Sequence, residues 1–136
     1  MKKAQKTCQV KRSTSGMGLG LFAVVPIKKG DFIMEYIGEI ISNAEADRRS
    51  TKYLFELDSK HVIDGVTREN TARYINHFCK PNVEAEVVRG QIKFFAMRNI
   101  KAGEELGYDY GTEYFDEFIA PQGCKCPACR AKKRTQ

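Results

Sequence analysis

Arg73-Tyr74-Ile75-Asn76-His77-Phe78-Cys79-Lys80-Pro81-Asn82 decides how the rest of this chain is read. Ten residues hold an imidazole, two side-chain amides, a thiol and a proline. A plain connecting loop rarely needs that polar variety. The adjacent Asn76 and His77 offer several donors and acceptors side by side. Cys79 can take a metal or stay buried as a small apolar group. Pro81 fixes its own φ and disfavours helix at Lys80, so residues 79–82 read as a turn. The competing reading is a helix end running into a loop, with His77 a satisfied core residue.

Working outward, short apolar runs punctuated by turn signals predict many strands and little helix. Strands are expected over Cys8–Arg12, Leu21–Val25, Phe32–Ile37, Tyr53–Leu57 and His61–Ile63. The runs Val83–Val88 and Gln91–Met97 alternate well, and Arg89-Gly90 between them predicts a hairpin. Ser42 with Glu45 three residues on is a capping box, predicting a short helix over 43–51. Residues 70–75 read as helical. Ala23 to Asp31 and Ala96 to Glu104 echo one another: each places Ile-Lys-x-Gly-acid after a strand, which predicts two similar corners. Ser15 to Gly20 carries alternate glycines that let backbone approach a ligand closely. Leu21 stands where the third glycine of a dinucleotide-binding loop belongs, so that reading is poor.

The 136 residues suit one domain. The net charge of +6 is unevenly spread. Residues 1–12 hold five Lys/Arg and residues 130–136 hold four, with no acids in either; the body between carries 14 basic and 17 acidic side chains, a net of −3. Basic ends on an acidic body give at most weak, salt-sensitive attraction to nucleic acid. No apolar run reaches the ~18 residues of a membrane span, and Met1-Lys2-Lys3 is followed by polar residues rather than a signal core. No membrane partner is expected. The chain reads as cytoplasmic in a bacterium, or as a secreted effector, and as nuclear in a eukaryote.

Three of the five cysteines form Cys124-Lys125-Cys126-Pro127-Ala128-Cys129. Thiols this close without a signal peptide point to zinc, which takes four ligands. Cys79 is the best-placed fourth ligand, Cys8 its rival and His77 a weaker one. A closed four-thiolate site is structural and would fasten the tail to the central decapeptide. A second polar stretch, Glu104-Glu105-Leu106-Gly107-Tyr108-Asp109-Tyr110-Gly111, sets two tyrosines around an aspartate. Phenols, neutral at pH 7, suit an aromatic channel better than acid–base work. The alternative is a strand with ordinary core tyrosines. Ser-His-acid, H-E-x-x-H and P-loop motifs are absent.

Together these pieces resemble the SET-domain family of protein-lysine N-methyltransferases. Residues 73–82 match its R-F-I-N-H-S-C-x-P-N segment, with Tyr74 and Phe78 as departures. Glu105 to Tyr110 matches E-L-x-F-D-Y, Gly16 to Gly20 the glycine loop, and Tyr36-Ile37-Gly38-Glu39 the Y-x-G-E segment. The cysteine cluster resembles the post-SET zinc motif, although its last pair is two residues apart where the family usually has four. The resemblance implies a basic arm at 1–7, a SET domain at 8–111 and a zinc-binding tail at 112–136. It implies a mainly β, β-clip-like fold of small curved sheets with short helices and a C-terminal pseudoknot. S-adenosylmethionine would meet the backbone of Met17, Gly18 and Leu19, with Arg73, Asn76 and His77 holding its polar parts and Tyr53 and Tyr110 nearby. Tyr110, Tyr53 and Tyr108 would do the catalytic work, and Cys79, Cys124, Cys126 and Cys129 would bind Zn2+. The substrate would be a lysine of a histone or another protein, carried to the mono- or dimethyl state because the Tyr108 hydroxyl takes up room. A non-catalytic peptide-binding SET-like module and a small zinc protein with nucleic-acid-binding ends are the alternatives.

Overall fold

The computed structural model describes residues 7–13, 18–49, 53–111, 119, 123, 124 and 126–129. Among the described residues, ten short strands form four small sheets, with a short α-helix and a 3-10 turn between them. The mainly β architecture is the one expected.

The first sheet pairs β1 (Cys8–Arg12) with β2 (Leu19–Ala23), antiparallel, Cys8 opposite Ala23. The expected strand over 21–25 is shifted two residues toward the N-terminus. Val24 and Val25 are exposed, because the chain leaves the sheet there toward the Pro26 corner. The central sheet has the order β3 (Phe32–Tyr36), β9 (Gln91–Ala96), β8 (Val83–Val88). Its hairpin turns at Arg89 (φ 52°) and Gly90 (φ 78°), both in the left-handed region that a two-residue hairpin loop requires. Alternation sends Ile92, Phe94 and Ala96 inward, each at most 3% exposed. The third sheet runs β4 (Glu39–Ser42), β6 (His61–Asp64), β5 (Leu54–Glu56).

The helix α1 spans Asn43–Arg48, shorter than predicted, with residues 50 and 51 outside the described set. Half of the capping box forms: the Glu45 N–H donates to Ser42 Oγ at 3.1 Å. The Glu45 carboxylate turns the other way, to Arg48 and Arg49. Arg49 also reaches Glu39 and the buried Asp64, tying α1 to both β4 and β6. The predicted helix over 70–75 is one 3-10 turn, Thr71–Tyr74. Asn70 does not cap it with its side chain. That fully buried amide instead accepts from Ile37 N (3.0 Å) and donates to Gly65 O (3.0 Å), bridging two loops.

The echoed corners pair with each other. Ile27 and Ile100 exchange both backbone hydrogen bonds, at 2.9 and 2.8 Å. Each corner turns on a left-handed glycine, Gly30 at φ 89° and Gly103 at φ 93°. In each, the acid caps the N–H three residues before it: Asp31 accepts from Lys28 N, and Glu104 from Lys101 N.

The last two strands are two residues each: β7 (Asn76–His77) and β10 (Gly107–Tyr108), paired in parallel. The chain from Glu105 to Tyr108 is held on two sides. Leu106 N donates to Leu21 O, while Gly107 O accepts from Asn82 N and Tyr108 O from Phe78 N. This late segment therefore lies between two earlier ones. Gly107 packs against the Phe78 ring, where a Cβ would sit 2.0 Å from a ring carbon, so only glycine passes. No helix among the described residues is long and apolar enough to cross a membrane.

Candidate functional site

The parallel register sets Asn76 beside Gly107 and His77 beside Tyr108. It thereby carries Asp109 and Tyr110 up to the decapeptide. A cleft of ≈ 1350 Å³ opens there, lined by Gly18, Leu19, Tyr53, Arg73, Asn76, His77, Tyr108 and Tyr110 among others. These are the expected site residues, drawn from four separate stretches of chain. Met17 and the rest of residues 14–17 lie outside the described residues.

One end of the cleft is polar. The Asn76 amide donates to Leu19 O (2.9 Å) and to Glu105 Oε2 (3.0 Å). His77 is 6% exposed. Its Nδ1 accepts the Tyr110 backbone N–H at 3.1 Å, so the neutral ring carries its proton on Nε2, 3.4 Å from Cys79 Sγ. Burial pulls the imidazole pKa below its ordinary value, and Asp109 opposes that in part. The Arg73 guanidinium lies 4.9 Å from the centres of both the Tyr53 and Tyr74 rings. It donates to Val66 O and to the Tyr74 hydroxyl. Its Nε is buried and has no hydrogen-bond partner among the described residues. A buried orphan donor of this kind suits an acceptor supplied by a ligand.

The other end is aromatic. Tyr108 packs on Phe55 (5.9 Å between ring centres), Phe94 (4.9 Å) and Tyr110 (4.6 Å). Tyr110 lies edge-to-face on His77 and donates its hydroxyl proton to Ile75 O. Tyr36 backs this wall against Phe55 and donates to Tyr53 O at 2.6 Å, fixing the backbone from which Tyr53 projects.

Behind the polar end, the sulfurs of Cys79, Cys124, Cys126 and Cys129 all lie within 4.8 Å of one another. Cys79 Sγ is 3.7 Å from Cys124 Sγ and 3.6 Å from Cys129 Sγ. A tetrahedral zinc with sulfurs at about 2.3 Å needs edges of about 3.8 Å, so the four thiols fit one ion. Burial raises the Cys79 thiol well above its ordinary pKa and pushes Cys124 up to about 11. Burial also acts upward on Cys126, but hydrogen bonds from Cys79 and Cys129 outweigh it and bring that thiol down to about 7. Cys8 is not in the cluster. It sits in β1, buried in the main core opposite Ala23, and accepts a weak contact from Thr7. His77 touches the cluster through Cys79 rather than joining it. Cys124 also lines the cleft, so the thiol cluster forms part of its wall.

Residues 18–111 match the SET domain. The chain belongs to the SET-domain family. Of the four clustered cysteines, Cys79 lies within the matched span and Cys124, Cys126 and Cys129 lie beyond it. This SET domain is 39% identical over 132 residues to the human histone-lysine N-methyltransferase EHMT1, covering 86% of this chain and 10% of that protein. It is 41% identical over 125 residues to the H3 lysine-4-specific histone-lysine N-methyltransferase of Schizosaccharomyces pombe, covering 82% and 14%. To ASHH3, a histone-lysine N-methyltransferase of Arabidopsis thaliana, it is 40% identical over 134 residues, covering 88% and 36%. The chain thus spans only a minor part of the length of these relatives.

Sequence reasoning left three supports of the SET-domain cleft without a role. Glu105 was quoted within a motif, yet its contacts to Ser13 and Asn76 join residues 92 and 29 positions apart. Asn70 looked like a helix residue. Tyr36 was quoted within the Y-x-G-E segment and as a strand residue, with no role given to its hydroxyl. The signal at Asn70 was present: a buried-looking amide between two turn-rich stretches, where backbone groups need side-chain partners.

Proposed function

We propose that this SET domain is an S-adenosylmethionine-dependent protein-lysine N-methyltransferase acting on a histone or another protein. The observation that carries the reading is the join of the two cleft ends at Tyr110. Its backbone is fixed by His77 on the polar side, and its ring belongs to the aromatic side beside Tyr108. A sulfonium methyl donor supplies an already activated methyl group, so the protein's task is alignment.

Each residue then has a physical role. Asn76, His77 and the backbone of Gly18 and Leu19 hold the donor at the polar end, with Met17 completing that loop. Arg73 offers its unused Nε there. Tyr53, Tyr108 and Tyr110 wall a channel for the lysine side chain. Lysine has a solution pKa of about 10.4 and must lose its proton before it attacks. A water-poor aromatic channel next to a positive centre lowers that pKa. Tyr110 orients the amine. The Tyr108 hydroxyl fills space that a third methyl would need, so mono- and dimethyl-lysine are the expected products. Cys79, Cys124, Cys126 and Cys129 bind Zn2+, which holds Cys124 in the wall of the cleft. The basic ends contribute weak attraction to nucleic acid, and in a eukaryotic cell the protein works in the nucleus.

The test is methyl transfer from labelled S-adenosylmethionine to histones and to cell-lysate proteins. Wild-type protein labels lysine, and Tyr110→Phe lowers the rate about 100-fold, the size of a lost orienting contact at a reacting centre. Absence of any melting shift with saturating S-adenosylmethionine overturns the reading.

A further inference from the structure

Glu105 stands outside the roles just assigned. Its carboxylate lies beneath β2, with Oε1 accepting from the Ser13 hydroxyl (2.9 Å) and Oε2 from Asn76 Nδ2 (3.0 Å). Ser13 is 5% exposed, and its N–H closes the glycine loop on Gly18 O at 2.7 Å. Gly20 faces the same carboxylate. A Cβ there would lie 2.4 Å from Glu105 Oε2 and 3.2 Å from Asn76 Nδ2. One acid therefore touches the loop, the strand after it and the decapeptide.

An amide can be turned over, exchanging its oxygen and nitrogen in nearly the same space. Here Nδ2 faces two acceptors, Leu19 O and Glu105 Oε2. Turning the amide would set Oδ1 against a carbonyl and a carboxylate, two repulsive contacts. Leu19 O alone is a weak lock, while a charged acceptor makes the stronger hydrogen bond. With both amide protons used, Oδ1 has no partner among the described residues and remains as an acceptor for a ligand in the cleft.

We propose that Glu105 is a positioning residue: it locks the Asn76 amide so that Oδ1 is presented to the donor as an acceptor, and Gly20 is glycine because a side chain would displace that carboxylate. The proposal rests on the methyltransferase reading for the identity of the ligand, but not for the lock itself.

The lock is read in the ligand-free protein from the Asn76 side-chain amide signals in a 1H–15N spectrum, assigned with Asn76→Ala. In wild type, both protons are expected downfield and slow to exchange. Glu105→Leu removes the acceptor, and one proton moves upfield and exchanges at least tenfold faster. Glu105→Gln keeps a neutral acceptor for Nδ2, since the Ser13 hydroxyl can turn to accept from the new amide, and it restores most of the signature. Gly20→Ala displaces the carboxylate without removing it and repeats the Glu105→Leu result, which covers the case where Glu105→Leu fails to fold. Unchanged Asn76 signals in Glu105→Leu, or in Gly20→Ala should Glu105→Leu not fold, overturn the proposal.

Calorimetry with S-adenosylmethionine and S-adenosylhomocysteine separates positioning from simple charge attraction. Both ligands carry the same amino-acid part, and only the first is a sulfonium. Positioning predicts that Glu105→Leu weakens both about tenfold, with Glu105→Gln close to wild type. Weakening of the sulfonium alone, equal in Gln and Leu, overturns positioning in favour of charge. If wild type binds neither nucleoside while the amide signature responds to Glu105→Leu, the lock stands and the methyltransferase reading fails.

Discussion

The body of the domain and its cysteine patch are held together in different ways. The body has one apolar core, with Leu21, Ile75, Ile92, Phe94, Ile100 and Leu106 each at most 1% exposed. Its stability comes from area removed from water. Among the described residues, the patch behind the cleft buries Phe78, Cys124 and Cys126, with Ile119, Ala128 and Cys129 partly buried against them. The four clustered thiols fit one zinc ion, which would supply a hold that does not depend on apolar area. The cleft is shared between the two, with most of its lining from the body and Cys124 from the patch. The patch should therefore be able to fail without the body, while loss of the body takes the patch with it.

The largest effect should come from the body. Phe94 is fully buried and touches Tyr36, Phe55 and Tyr108. Phe94→Ala is expected to cost about 3–5 kcal/mol in urea denaturation. It should melt body and patch together; loss of the patch alone would show that the body does not rest on its apolar core.

Next is the patch. Cys126→Ser, or removal of zinc with a chelator, should free the tail from the decapeptide. Slow hydrogen exchange should survive in β8 and β9 while protection at residues 123–129 is lost. Methyl transfer should fall at least tenfold, in the range of disturbed metal surroundings. Global unfolding on chelation would merge the two regions into one.

A smaller effect belongs to the shared wall. Tyr108→Phe keeps the ring packed between Phe94 and Tyr110 and removes only the hydroxyl. The body's stability should change by about 1 kcal/mol, the worth of one hydrogen bond. Mass spectrometry should show the product moving toward trimethyl-lysine.

The smallest is an acid limb confined to the body's surface. Hydrogen bonds from Arg48 and Arg49 hold the Glu45 pKa below its ordinary 4.5, and Arg98 does the same for Glu104. The backbone N–H of Lys60 lowers Asp58 below 3.8. Folded values below unfolded ones mean that these groups add stability above their ordinary pKa values and lose it as pH falls through the lower folded values. The pairs are exposed and screened, so the loss is slight. Urea midpoints of Cys126→Ser, chosen so that metal loss plays no part, should already fall as pH drops below about 6.5, where the unfolded chain protonates His77 more readily than the folded one, and the carboxylate limb should add a further decline below about pH 4.5.

Much of the body was legible because its signals are local. The Val83–Ala96 hairpin follows from alternation and a two-residue turn, and the echoed corners from glycine followed by a capping acid. That those corners would clasp each other through Ile27 and Ile100 was not, since nothing local pairs residues 73 positions apart. The β4 strand escaped because Ile40 faces solvent, 54% exposed, and breaks the expected alternation. At the cleft, the residue types were readable as motifs, but the parallel pairing of β7 and β10 depends on Phe78, Asn82 and Leu21 all meeting one late segment. The helix over 70–75 was misjudged because the Asn70 amide serves two distant loops rather than the turn it precedes.

That late segment has a consequence for assembly. Asn76 and His77 emerge from a ribosome some thirty residues before the strand that completes their pairing, and the zinc ligands follow later still. Sheets formed by earlier hairpins can close first, as local contacts do. The cleft therefore cannot take shape until residues 107–110 and the three later cysteines are available to pair with the decapeptide.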